Sequence, residues 1–148
     1  MLRTDFDRSV GYLVTALANK LTTGSSRRLK RRLNVGLMEW RVIALLGAET
    51  EASPARIAQV AGVDKSVVSR AVTTLDRSGL IVINPGPQAG RQTTLRLTPA
   101  GQALHDKGIV DTVARDEGLL KGFSEAERDT LVALLKRLNA NVADLHRD

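Results

Sequence analysis

The chain has 148 residues, enough for one domain with a real core. It contains no cysteine, which excludes disulfides, thiolate metal sites and thiol redox chemistry. The formal net charge is +6, and the excess is uneven: nine Lys/Arg against five Asp/Glu in residues 1–52, six against two in 53–98, and seven against nine in 99–148. Such a localised excess attracts phosphate backbones, although a solvated Arg-rich surface has the same composition. No run of eighteen apolar residues suggests a membrane span. Asp5 and Asp7 with no apolar h-region argue against a secretory signal, so a cytoplasmic protein is expected.

In chain order, Phe6, Val10, Leu13, Val14, Leu17 and Leu21 recur at three- and four-residue steps, which predicts an amphipathic helix from Asp5 to about Leu33. Thr22-Thr23-Gly24-Ser25-Ser26 weakens the pattern, so either the helix kinks there or Arg27–Leu33 is a second piece. Asn34-Val35-Gly36 reads as a stop. Leu37–Leu46 is a largely apolar helix holding the only tryptophan, Trp40, read as a core residue.

Ser53 followed by Pro54 is a helix start, and Ile57, Ala58 and Val60 are expected to face inward. A turn at Gly62 leads to Asp64, a second N-cap. Behind it Val68, Ala71, Val72 and Leu75 form an inner stripe, while Lys65, Ser66, Ser69, Arg70 and Thr73 point outward. Two short helices so arranged predict a helix-turn-helix whose second helix enters a DNA major groove.

Ser78-Gly79 ends that helix. Leu80–Ile83 and Thr93–Leu97 read as strands of a hairpin around the turn formers Asn84–Gly90, with Leu95 and Leu97 facing the core. Thr98-Pro99 opens a helix toward Phe123, weakened by Gly101, Gly108 and Gly118. Ser124-Glu125-Ala126-Glu127 is a capping box before the stripe Leu131, Leu134, Leu135, Leu138, Val142 and Leu145. The fold class is therefore mainly α with a small β-hairpin wing: a winged helix-turn-helix at 37–98, flanked by helical regions at 5–33 and 99–147.

Four blocks in this order resemble the MarR family of bacterial transcriptional regulators: Leu37–Leu46, then Ile57-Ala58 with Asp64–Arg70, then Leu75–Ile81, then Leu95–Gly101. The resemblance implies a homodimer built from the N- and C-terminal helices, binding a pseudo-palindromic operator. It implies a repressor, less often an activator, released by a small-molecule effector. The implied DNA-binding residues are Ser53, Arg56, Lys65, Ser66, Val67, Ser69, Arg70, Thr73 and, on the wing, Arg91. Among these, Arg70 suits a bidentate contact to guanine and Val67 a thymine methyl. The implied effector pocket lies near Leu13, Leu17, Trp40 and Leu104. One departure stands out: the family wing carries an acid two residues before its arginine, where this chain has Ala89, and Pro85, Gly86, Pro87 and Gly90 reshape the tip.

Arg27–Arg32 reads either as an extension of the DNA footprint or as a solvated helix face. His105 and His146 are isolated, and no catalytic motif, metal site or cofactor is expected. An architectural DNA binder and a winged-helix protein-interaction module remain the alternative functions.

Overall fold

The computed structural model describes residues 3–86 and 93–146. Its elements are α1 (Val10–Leu33), α2 (Leu37–Glu49), α3 (Pro54–Ala61), α4 (Lys65–Arg77), β1 (Ile81–Asn84), β2 (Thr94–Leu97), α5 (Pro99–Leu119) and α6 (Glu125–Leu145). The chain divides into two compact units, Met1–Ile109 and Val110–Asp148. Arg91, Ala89, Pro87 and Gly90 lie outside the described residues.

The first helix starts later than its periodicity suggests. Asp5 makes a local turn instead: its carboxylate accepts the Asp7 N–H at 3.1 Å and its carbonyl accepts the Arg8 N–H at 3.2 Å. From Val10 the helix is unbroken through the polar stretch, where the Thr23 and Ser26 hydroxyls donate to the Asn19 and Thr22 carbonyls at 2.9 and 3.1 Å. These hydroxyls find their partners inside the helix, and α1 continues through the stretch to Leu33. Asn34 ends α1 in the left-handed region at φ 54°, its N–H bonded to the Lys30 carbonyl.

In the first unit α2 is the central element. Val42, Ile43 and Leu46 are fully buried, and Ile57, Val68, Leu75 and Leu95 close around them from α3, α4 and β2. The stripe over α4 follows the 3.6-residue period expected of a helix backed onto a core. Val60 departs from the inward placement expected of it: it is 52% exposed. The helix has only eight residues, and Ile57 and Ala58 already occupy its buried side.

The hairpin pairs β1 and β2 antiparallel, with Ile81 opposite Leu97 and Ile83 opposite Leu95. A third segment joins it at a single bridge. Ala52 exchanges both backbone bonds with Leu95, at 2.8 and 3.2 Å, so the residue ahead of α3 is registered to the wing's return strand.

The start of α5 explains two glycines that look like helix defects. Thr98 caps the helix by accepting the Gly101 N–H at 3.1 Å. Its own hydroxyl donates to the Gly79 carbonyl at 2.7 Å and its N–H to the Leu80 carbonyl at 3.1 Å. A β-carbon at Gly101 would collide with the Leu80 carbonyl oxygen, and one at Gly108 with the Trp40 ring. Both glycines are buried because the helix backbone lies directly on its neighbours.

In the second unit α6 begins with the expected capping box. Ser124 Oγ accepts the Glu127 N–H at 3.1 Å, and the Glu127 carboxylate accepts the Ser124 N–H at 2.7 Å. Arg128 reaches Glu117 at 2.9 Å. Leu134, Leu135, Leu138, Val142 and Leu145 are all exposed. No helix among the described residues is long and apolar enough to cross a membrane.

Candidate nucleic-acid interface

The turn between α3 and α4 is set by local chemistry. Ser53 Oγ accepts the Arg56 N–H at 3.1 Å, with Pro54 at the first helical position. Gly62 closes α3 at φ 65°, a conformation that costs glycine little, and the Gly62 and Val63 N–H groups both turn back to the Ala58 carbonyl. Asp64 then opens α4 by accepting the Ser66 N–H at 2.8 Å. That bond, the Ser66 hydroxyl and the Lys65 charge hold the Asp64 carboxyl below the usual aspartate range.

These caps fix the rotation of α4. With Val68, Ala71 and Leu75 buried, Lys65, Ser66, Ser69, Arg70 and Thr73 are carried to the exposed side and Val67 to its half-buried border. Five of the residues expected to meet DNA thus share one face. Thr73 donates its hydroxyl to the Ser69 carbonyl at 3.0 Å, leaving its oxygen only as an acceptor toward a ligand.

Arg70 lies along a shallow groove of about 320 Å³. Gly36, Leu37, Met38 and Glu39 form one wall and Val67, Arg70, Ala71 and Thr74 the other. The start of α2 therefore borders the recognition face, a neighbour that the sequence pattern did not reveal. Glu39, at the third position of α2, accepts the Gly36 N–H with its carboxylate at 2.9 Å. It puts a negative group in the same groove as the Arg70 guanidinium.

The remaining expected contacts are placed differently. Arg56 is exposed, but its guanidinium grips Glu49, with Nη2 2.7 Å from Oε1 and Nε 3.2 Å from the same oxygen. The pairing lowers the Glu49 carboxyl and raises the Arg56 guanidinium from their ordinary values, in both cases chiefly through that hydrogen bond. Ser53 is half-buried and committed to its cap. Arg96, on β2, pairs with Glu51 at 2.6 Å.

Of the four expected effector-site residues, Leu13 and Leu17 are 51% and 48% exposed on α1, whereas Trp40 is 5% exposed. Leu104 packs against the core from α5. The Trp40 ring stacks on His105, whose Nδ1 lies 3.0 Å from Asp106 Oδ1. This contact holds Asp106 below its ordinary range. Among the described residues no cluster of three or more His, Cys, Asp or Glu is arranged to hold a metal.

Comparison with known proteins points in one direction. A sequence model of the MarR family matches residues 33–92. A solved MarR/EmrR family transcriptional regulator from Acinetobacter sp. ADP1 is 33% identical with a TM-score of 0.87, over 95% of this chain and 99% of that one. The HTH-type transcriptional repressor IacR of Pseudomonas putida is 27% identical over 125 residues, 83% of this chain and 74% of its own length. A MarR family regulator from Listeria monocytogenes, solved in complex with 26mer DNA, shares the fold with a TM-score of 0.83 at 24% identity, covering 93% of this chain and 91% of that one.

Proposed function

The chain belongs to the MarR family of transcriptional regulators, and we propose that it is a homodimeric repressor that reads a pseudo-palindromic operator through α4 and is released by a small molecule. The observation that carries the reading is the outward face of α4, where Lys65, Ser66, Ser69, Arg70 and Thr73 are exposed while the opposite side is locked into the core. In this reading Arg70 donates two hydrogen bonds to a guanine edge, contributing about 1–3 kcal/mol of base discrimination. Lys65, Ser66 and Ser69 meet phosphates or base edges, Val67 packs on a thymine methyl, and Thr73 accepts from a base amino group. Ser53 offers the end of α3 to a phosphate. Arg56 does the same with the guanidinium N–H groups that its Glu49 pairing does not use. Arg91 enters the minor groove from the wing.

The dimer is supported by apolar side chains left exposed in each unit: Leu13, Val14 and Leu17 on α1, and Leu134, Leu135 and Leu138 on α6. Two-fold symmetry sets the half-sites about 34–36 Å apart. The effector is assigned to the neighbourhood of Leu13, Leu17, Trp40 and Leu104, and the site of action to the cytoplasm.

Selection of duplexes from a random pool, followed by anisotropy titration, tests the proposal. The Arg70→Ala variant should lose selectivity for the chosen sequence by about tenfold or more while still folding and dimerising. Undiminished selectivity in that variant would remove Arg70 from the readout. Equal wild-type affinity for all duplexes would replace the repressor with an architectural DNA binder.

A further inference from the structure

The 24 residues of α1 include six cations, Lys20, Arg27, Arg28, Lys30, Arg31 and Arg32, and no acid. Three of these cations share a face. At 3.6 residues per turn, Arg27, Lys30 and Arg31 fall within an arc of about 100°, and all three are exposed. Leu29 and Leu33 lie opposite and anchor α1 to the core. Arg27, Lys30 and Arg31 make no ion pair with another described residue, unlike Arg56, Arg96 and Arg128.

The position of the face gives it an occupant. α1 runs through Asn34 and the buried Val35 directly into Gly36–Glu39, one wall of the groove whose other wall is Val67, Arg70 and Thr74. The helix that carries the basic face therefore ends three residues ahead of the groove wall in the chain. A duplex seated on α4 carries a phosphate charge for every 1.7 Å or so of its axis, while the face from Arg27 to Arg31 is about 6 Å long. Cations in the last turn also favour the helix dipole, but Arg27 lies before that turn and gains little from it.

We propose that Arg27, Lys30 and Arg31 form a second DNA-backbone site, holding phosphates that flank the sequence read by α4. The inference rests on α4 being the recognition helix. Its consequence is a footprint longer than the half-sites, with affinity strongly dependent on salt.

The test compares the wild type with the triple variant Arg27→Gln/Lys30→Gln/Arg31→Gln. A control variant, Lys121→Gln/Lys136→Gln/Arg137→Gln, removes the same charge from exposed positions elsewhere. Two duplexes carry the selected sequence, one ending at the half-sites and one extended by about a helical turn on each side. On the extended duplex the triple variant should flatten the slope of log affinity against log salt by about 2–3 per protomer. On the short duplex the change should be much smaller, and the control should change neither. An equal slope change in the control would reduce the effect to net charge and overturn the site. So would an unchanged slope on the extended duplex, or a loss seen equally on the short one. Loss of binding to vesicles containing an anionic phospholipid, with DNA affinity intact, would assign the face to a membrane surface instead. If the wild type selects no sequence, the repressor reading fails, yet the slopes on random duplex still decide whether these three residues hold phosphates.

Discussion

Two glycines in α5 invite the same substitution with opposite results. At Gly101 a β-carbon would meet the Leu80 carbonyl oxygen far inside van der Waals contact, with the carbonyl carbon at 3.1 Å and Leu97 Cδ2 at 3.3 Å. That oxygen cannot swing aside, because it accepts the Thr98 N–H at the base of the hairpin. Overpacking of this kind costs about 3 kcal/mol, and alanine returns about 1 kcal/mol of helix propensity, leaving about 2 kcal/mol of destabilisation. At Gly118 nothing lies within 4 Å of the added carbon, so only the propensity gain of about 1 kcal/mol remains. For a chain of this size each kcal/mol moves the melting temperature by about 2–4 °C. Gly101→Ala should therefore melt about 4–8 °C below the wild type and Gly118→Ala about 2–4 °C above it. Thermal denaturation at one fixed protomer concentration reads both, since association shifts the apparent midpoint. Equal midpoints for the two variants would refute the close approach of α5 to Leu80.

The Asp64 cap predicts an acid-side effect. Its folded carboxyl titrates below the usual range, so its stabilisation is present above that range and is lost as pH falls through the lowered value. Asp64→Asn should melt lower than the wild type at neutral pH and approach it in acid; a constant difference would mean that the charge is irrelevant. Arg56→Gln removes one phosphate contact and should flatten the salt dependence of DNA binding by about 0.9 per protomer, whereas an unchanged slope would place Arg56 off the DNA. Leu135→Glu/Leu138→Glu charges the exposed stripe of α6 and should convert dimer to monomer in light scattering. A dimer that survives would move the interface elsewhere.

The legible parts of this chain were those decided by near neighbours. Ser53, Asp64 and Ser124 cap the helices that follow them because an oxygen two or three residues ahead suffices. The outward residues of α4 followed from one strong stripe, long enough to fix its phase. Val60 was misplaced because α3 is too short for a pattern to set its rotation. Gly101 and Gly108 looked like weak helix formers, since nothing local reveals the Leu80 carbonyl or the Trp40 ring against them. The bond between Arg56 and Glu49 crosses a helix end and a turn, and the groove shared by Glu39 and Arg70 joins residues far apart in the chain. Neither has a spacing by which it could be recognised.

The paired backbone bonds between Ala52 and Leu95 bear on how an on–off signal could work. They register the leading edge of the reading helices to the strand that returns from the wing, so a displacement of Ala52 is passed on to Leu95. In the ligand-released dimer proposed above, the quantity to control is then the gap between two heads, and a shift of a few ångströms in that gap is enough to put both out of step with the turns of the duplex.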